Sequence, residues 1–317
     1  MLVGSQTRRL ALGRLAAAGG LLATAPNLAF GQVPEALVTE PDDESPASIA
    51  FKREMYEHIT APVTINGQGP YRFMVDTGAN VSCVSQDLAR SLELPLGRQV
   101  EVNTVVGKRV RQSVIIDKLE ISTRTRRRVA APVLPMTGFD IDGLLGVDWL
   151  KGQRLVMGFA GSTLEITRSR GDDARKGRVV VPARRKSGQL TIVDADLNGR
   201  KISAMIDSGS QFSIGNQALR RIIEQTDRTA NSMAQKVVLM SIAGEQFTGD
   251  QLYLPFIRIG GLNLGNVPVV FTDMAVFKLW DLHDTPTIML GIDLLTQFET
   301  VALDFGRSSV RFDISNA

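Results

Sequence analysis

From residue 58 onward the apolar positions fall into short runs rich in Val, Ile, Leu and Phe, broken by Gly, Asn and Pro. That is the rhythm of strands and turns rather than of long helices. The series is written twice. In the first copy Val63-Thr64-Ile65 meets Asn66-Gly67 and resumes at Tyr71–Val75; in the second, Ala195-Asp196-Leu197 meets Asn198-Gly199 and resumes at Ile202–Ile206. Asn-Gly between alternating apolar runs predicts a tight hairpin. Each resumed strand then runs into an acid, as Phe73-Met74-Val75-Asp76-Thr77-Gly78-Ala79 and as Ala204-Met205-Ile206-Asp207-Ser208-Gly209-Ser210.

Two later features keep the same order. Thr104-Val105-Val106-Gly107 and Ser241-Ile242-Ala243-Gly244 each sit between β-type residues and predict hairpin tips. Gly143-Leu144-Leu145-Gly146-Val147-Asp148 matches Ile288-Met289-Leu290-Gly291-Ile292-Asp293, and each is followed by a closing hairpin, 155–166 and 301–312. The second copy carries about fourteen extra residues before its apolar-Gly motif, around Phe277–Thr287. Helix is expected only in short pieces, at Gln86–Leu92 and Gln217–Gln225 behind the acid loops, with Asp148 and Asp293 as N-caps of two more. The pattern therefore predicts a mainly β chain of two similar lobes, residues 58–167 and 189–317, joined by a basic, solvated linker over 168–188.

The first 57 residues differ. Arg8 and Arg9, an Ala- and Gly-rich apolar stretch from Leu15 to Ala25, and small residues before Gln32 follow the plan of an export signal over residues 1–31. The arginine pair resembles a twin-arginine signal. The apolar run is shorter than the ~20 residues that cross a bilayer, so no stable membrane anchor is expected and the protein is placed in the periplasm or outside the cell. Residues 32–57, punctuated by Pro34, Pro41 and Pro46, read as an extended lead-in.

Composition changes this picture little: 44% of the 317 residues are hydrophobic and 22% charged, as in ordinary globular proteins. The net charge of +3 owes its excess to Arg8, Arg9 and Arg14 in the leader, so nothing favours a nucleic-acid partner. One cysteine, Cys83, excludes an internal disulfide and reads as a buried thiol; with only two histidines, His58 and His283, no metal site is expected. No Gly-x-Ser-x-Gly elbow, phosphate loop or HExxH occurs. Arg124 and Arg126–Arg128 read as a solvated hairpin.

The paired acids are the candidate chemistry. A single Asp-x-Gly after a strand is ordinarily a turn. Two of them, each at the end of an apolar strand in equivalent repeats, are different: a pseudo-twofold axis would bring Asp76 and Asp207 together. Like charges that close cannot both ionise cheaply, so they share a proton. One acid is then a base beside its acidic partner, which activates water against a carbonyl without metal, cofactor or covalent intermediate.

At these residues the sequence resembles the aspartic peptidases, retropepsin-like and pepsin-like, and among them two-lobe enzymes exported by bacteria. The resemblance rests on Asp76-Thr77-Gly78 with Leu144-Leu145-Gly146, and Asp207-Ser208-Gly209 with Met289-Leu290-Gly291. It implies two acid-protease β-barrel lobes with a cleft between them, and endopeptidase activity on a polypeptide bound in extended form. It further implies that Thr77 and Ser208 cross-bond beneath the dyad and that Gly78 and Gly209 let the loops approach. Thr104, Gly107, Ser241 and Gly244 would lie at two flaps. Ser210, where the first lobe has Ala79, is expected to donate its hydroxyl to Asp207 and make Asp207 the more readily ionised acid. Because each lobe supplies one acid, an active monomer is expected. The competing reading is a non-catalytic peptide-binding or inhibitory module on the same fold.

Overall fold

The two Asn-Gly corners open the two lobes. Asn66 and Gly67 take φ of 53° and 82°, and Asn198 and Gly199 take 53° and 76°; two successive left-handed residues give the turn whose twist matches the strands it joins. In the computed structural model, residues 58–186, 189–192, 194–226 and 234–314 are described, with the backbone of short strands at Leu15–Ala16, Leu22–Ala23 and Ala47–Ala50. Most of the expected export signal and lead-in lies outside these residues.

In lobe one Thr60–Ile65 pairs antiparallel with Gln68–Val75, which in turn pairs parallel with Gly143–Leu145. Long strands Leu96–Thr104, Gly107–Ile121 and Arg124–Leu134 complete the sheet. Lobe two repeats the plan: Ser203–Ile206 runs parallel to Thr287–Leu290, and Gln235–Met240, Gln246–Ile259 and Leu262–Phe271 form the meander. The short helices stand where expected. Ser85 caps Gln86–Ser91 by accepting from Leu88 N at 3.0 Å, and Asn216 accepts from Leu219 N at 2.9 Å before Gln217–Thr226.

The closing hairpins do more than close each lobe. Gln153–Gly158 of the first pairs antiparallel with Thr300–Asp304 of the second, Leu155 opposite Leu303, so the repeats are zipped together. Ala47–Ala50 adds on one side through Thr163–Ile166, and Arg178–Lys186 on the other through Ser309–Asp313. One hydrophobic core runs through both lobes behind this sheet, and two smaller clusters lie beneath the hairpin tips.

The basic stretch expected as a solvated linker is only partly that. Asp172 is held by the fully buried Arg154, whose Nη2 donates to both carboxylate oxygens at 2.8 and 2.6 Å, and by Arg311 at 2.9 Å. Ser169 and the Arg170 N–H donate to Asp304, and Arg178 onward is a strand. Two buried guanidinium groups need an anion, and the linker supplies Asp172 alongside Asp313, which also pairs with Arg311 at 3.3 Å. By contrast Arg127 and Arg128 are exposed at the start of their strand, and Arg126 lies over the Trp149 ring at 4.6 Å.

Candidate active site

Each acid sits at the end of a buried strand locked to the apolar-Gly motif of its own lobe. Asp76 N donates to Leu145 O at 2.9 Å and Asp207 N to Leu290 O at 3.0 Å. These parallel ladders fix the height of both loops. Beneath them the lobes cross-bond. Thr77 Oγ1 donates to Ile206 O at 2.8 Å and accepts from Ser208 N at 3.1 Å; Ser208 Oγ donates to Val75 O at 2.8 Å and accepts from Thr77 N at 3.1 Å. Four hydrogen bonds, all buried, tie one acid loop to the other.

The crossing brings the carboxyls into contact, Asp76 fully buried and Asp207 at 1% exposure. Gly78 lies against Asp207 and Gly209 against Asp76: a Cβ on Gly78 would stand 2.6 Å from Asp207 Oδ1, and one on Gly209 2.3 Å from Asp76 Cγ. Asp76 Oδ1 accepts from the Gly78 and Ala79 N–H groups at 2.8 and 3.0 Å, and Asp207 Oδ1 accepts from Gly209 N at 3.0 Å. The outer oxygens, Asp76 Oδ2 and Asp207 Oδ2, are buried and take no donor from the described residues.

Burial lifts both carboxyls. That of Asp76 rises to about 6, held there by the opposing pull of its backbone donors. Burial and then the Asp76 charge push Asp207 well above the usual carboxylate range. Both shifts favour a pair that holds one proton as a unit. The hydroxyl bond expected to make Asp207 the more readily ionised acid is not formed. The Ser210 hydroxyl does not reach Asp207; it donates to Phe212 O at 2.7 Å, so the second lobe gains no extra donor to its carboxylate.

A further pair of acids supports the site from behind. Ser82 Oγ donates to Asp148 Oδ1 at 2.9 Å and accepts from Gly146 N at 3.1 Å; Ser213 Oγ donates to Asp293 Oδ1 at 2.8 Å and accepts from Gly291 N at 3.1 Å. Asp148 and Asp293 are thus not N-caps. The helix Ile292–Leu295 begins after Gly291, and Asp293, in its first turn, reaches across to Ser213. Burial raises the pKa of both acids, that of Asp293 to about 6. Only their spacing behind each glycine could have flagged them.

The paired geometry matches two family models in tandem. Residues 61–152 match a model described as "gag-polyprotein putative aspartyl protease", and residues 193–294 one described as "Aspartyl protease". Together the matches span more than half of the chain. This chain belongs to the retropepsin-like aspartic peptidase family. No curated protein matches it. The hairpins that carry the flap candidates are Leu96–Ile121 (flap one) and Gln235–Ile259 (flap two).

Thr104, Gly107, Ser241 and Gly244 lie at these tips, but their polar groups serve the turns. Thr104 Oγ1 donates to Gly107 O at 2.9 Å, and Ser241 Oγ accepts from Glu245 N at 3.2 Å. Gly107 and Gly244 supply φ of +142° and +81°. The residues between them were missed by sequence reasoning. Val105 and Ile242, each 1% exposed, are buried in the opposite lobe. Cys83 is buried, its thiol pKa pushed up by burial. His58 packs on Phe139 and His283 pairs with Asp284. Among the described residues no group of three His, Cys, Asp or Glu could hold a metal.

Proposed function

We propose that the chain is an aspartic endopeptidase whose dyad is Asp76 and Asp207. The observation that carries this is the reciprocal burial of the two carboxyls, each against the other lobe's glycine. In the proposed reaction a water lies between the outer carboxyl oxygens. Asp76, ionised, takes a proton from it as the oxygen attacks the peptide carbonyl carbon. Asp207 gives its proton to the carbonyl oxygen, so a neutral gem-diol forms and no bond to the protein is made. The gem-diol collapses as Asp76 passes its proton to the amide nitrogen and Asp207 recovers one from a hydroxyl, which breaks the C–N bond. The cycle ends with the protons where they began.

The substrate is a polypeptide in extended form, laid between flaps and dyad, where backbone pairing gives affinity without sequence. One chain supplies both carboxyls, so the active species is a monomer. The basic leader around Arg8 and Arg9 favours an exported enzyme. The test is digestion of an unbiased peptide mixture by the exported form, beginning at Gln32, beside an Asp76→Asn control. Cuts that depend on Asp76 are expected; the same cuts from both proteins would end the proposal.

A further inference from the structure

Each flap tip is inserted into the other lobe. Val105, from flap one, joins the lobe-two cluster of Met205, Met274, Phe277, Trp280 and Met289, and its carbonyl accepts from Ala275 N at 2.8 Å. Ala275 starts the short helix Ala275–Leu279, which lies in the extra segment that lobe one lacks. Ile242, from flap two, joins the lobe-one cluster of Met74, Cys83, Leu134, Met136 and Leu144, and its carbonyl accepts from Met136 N at 3.2 Å. Met205 and Met74 stand two residues before Asp207 and Asp76, so each tip is seated beside the opposite acid's strand.

Among the described residues an ion pair, not aligned as a hydrogen bond, joins flap to flap. Arg109, on the return strand of flap one, pairs with Glu245, in the turn of flap two, Nε to Oε1 at 3.0 Å. The pair is partly shielded, with Glu245 at 14% exposure and Arg109 at 43%. Glu245 is also anchored to its own turn through Ser241. Lys108, next to Arg109, pairs within flap one, with Glu101 at 2.7 Å. The ion pair thus spans two elements that must separate before a polypeptide can reach the dyad.

We propose that Arg109 and Glu245 are positioning residues that couple the flaps, so that withdrawing either tip from its host lobe loosens the other. The free protein is then held shut by two buried tips and one ion pair, and binding competes with this self-closure. Since the pair is partly exposed, its loss shifts an open–closed balance by about two- to fivefold and does not unfold a lobe. The coupling rests on the flap assignment and not on catalysis, so its test needs no peptidase activity.

Trp280, 1% exposed in the cluster that receives Val105, reports the seating of flap one. The chain has only two tryptophans, and Trp149→Phe leaves Trp280 as the sole emitter. Acrylamide quenching of Trp280 is then measured in that background. Glu245→Gln changes flap two alone, yet is expected to raise the quenching constant about two- to fivefold, the scale of a partly exposed ion pair. Arg109→Ala should do the same, the double variant no more than either single one, and the swap Arg109→Glu with Glu245→Arg should restore the parent value. Molar salt, which shortens the screening length to ~3 Å, should mimic Glu245→Gln in the parent and do little to the variant. Unchanged quenching in Glu245→Gln overturns the proposal, as does a double variant equal to the sum of the singles. If coupling holds but no peptide is ever cut, the latch stands and the catalytic reading fails separately.

Discussion

The methyl group that Gly209 lacks would stand 2.3 Å from the carboxyl carbon of Asp76, a residue of the other lobe. Gly78 stands in the same relation to Asp207. Both glycines have ordinary backbone φ, so the requirement is not for a turn. It is for the absence of a side chain where an acid from the opposite lobe must fit. Overpacking a rigid, buried site costs about 1–3 kcal/mol. Gly209→Ala is therefore expected to displace Asp76, lowering thermal stability by several degrees and cleavage by far more than stability alone explains. A melting curve and a cleavage rate on the same preparation check this.

The four-bond crossing beneath the dyad makes a second expectation. Ser208→Ala removes a donor and an acceptor at a buried point and leaves Val75 O and Thr77 N without partners. At about 1 kcal/mol for each bond, with more for groups left buried and unpaired, each of Ser208→Ala and Thr77→Val should cost about 2–4 kcal/mol. The two hydroxyls make separate pairs of bonds, so the bond count alone predicts the sum; a double variant that costs clearly less is expected because losing either pair already frees both loops. Urea unfolding of the four proteins measures the coupling; strict additivity would mean that the loops do not support one another.

Much of this was legible in the chain. The two Asn-Gly hairpins, the acids at the ends of Val75 and Ile206, and the apolar-Gly motifs repeat in order, and repetition carries more than any one motif. What failed to show were choices between competing partners. The Ser210 hydroxyl had Asp207 and Phe212 O within local reach, and only the folded loop decides for the carbonyl. Asp148 and Asp293 stand just behind the apolar-Gly motifs and look like caps, yet their partners are Ser82 and Ser213, distant in sequence. The reciprocal seating of Val105 and Ile242 was hidden for a similar reason: an apolar residue at a hairpin tip does not announce which lobe will bury it. Arg178–Lys186, ending in Arg184, Arg185 and Lys186, concealed a strand that pairs with Ser309–Asp313.

The dyad should work near neutrality. The proposed reaction uses Asp76 ionised and Asp207 protonated. Asp76 loses its proton only as pH rises through about 6, and Asp207 keeps its own above that because burial and the Asp76 charge favour the neutral form. The pair titrates as a unit, so kcat/KM should climb between about pH 5 and 7 and fall at higher pH. A maximum below pH 4 would contradict the proton placement.

Asp293 carries a stability signature of its own. Its folded pKa is raised from 3.8 to about 6 by burial. A raised carboxyl favours the folded state fully below its unfolded pKa, and that contribution is lost as pH rises through the folded value. Each pKa unit corresponds to 1.36 kcal/mol, so the loss on going from about pH 4 to 7 is at most ~3 kcal/mol. Asp293→Asn, which does not titrate, should flatten this part of the stability–pH curve while lowering the whole by loss of the Ser213 contacts. Melting temperatures at a series of pH values decide it; parallel curves for the two proteins would exclude the assigned shift.

The central claim is that Asp76 and Asp207 together cut peptide bonds. It is tested most directly by mass spectrometry of an unbiased peptide mixture digested near pH 6.5 by the parent protein, Asp76→Asn and Asp207→Asn. Each variant must first be shown to melt as a folded chain. The account expects cuts from the parent and none at the same bonds from either variant. Identical cuts from all three, or none from the parent across acid to neutral pH, would contradict it.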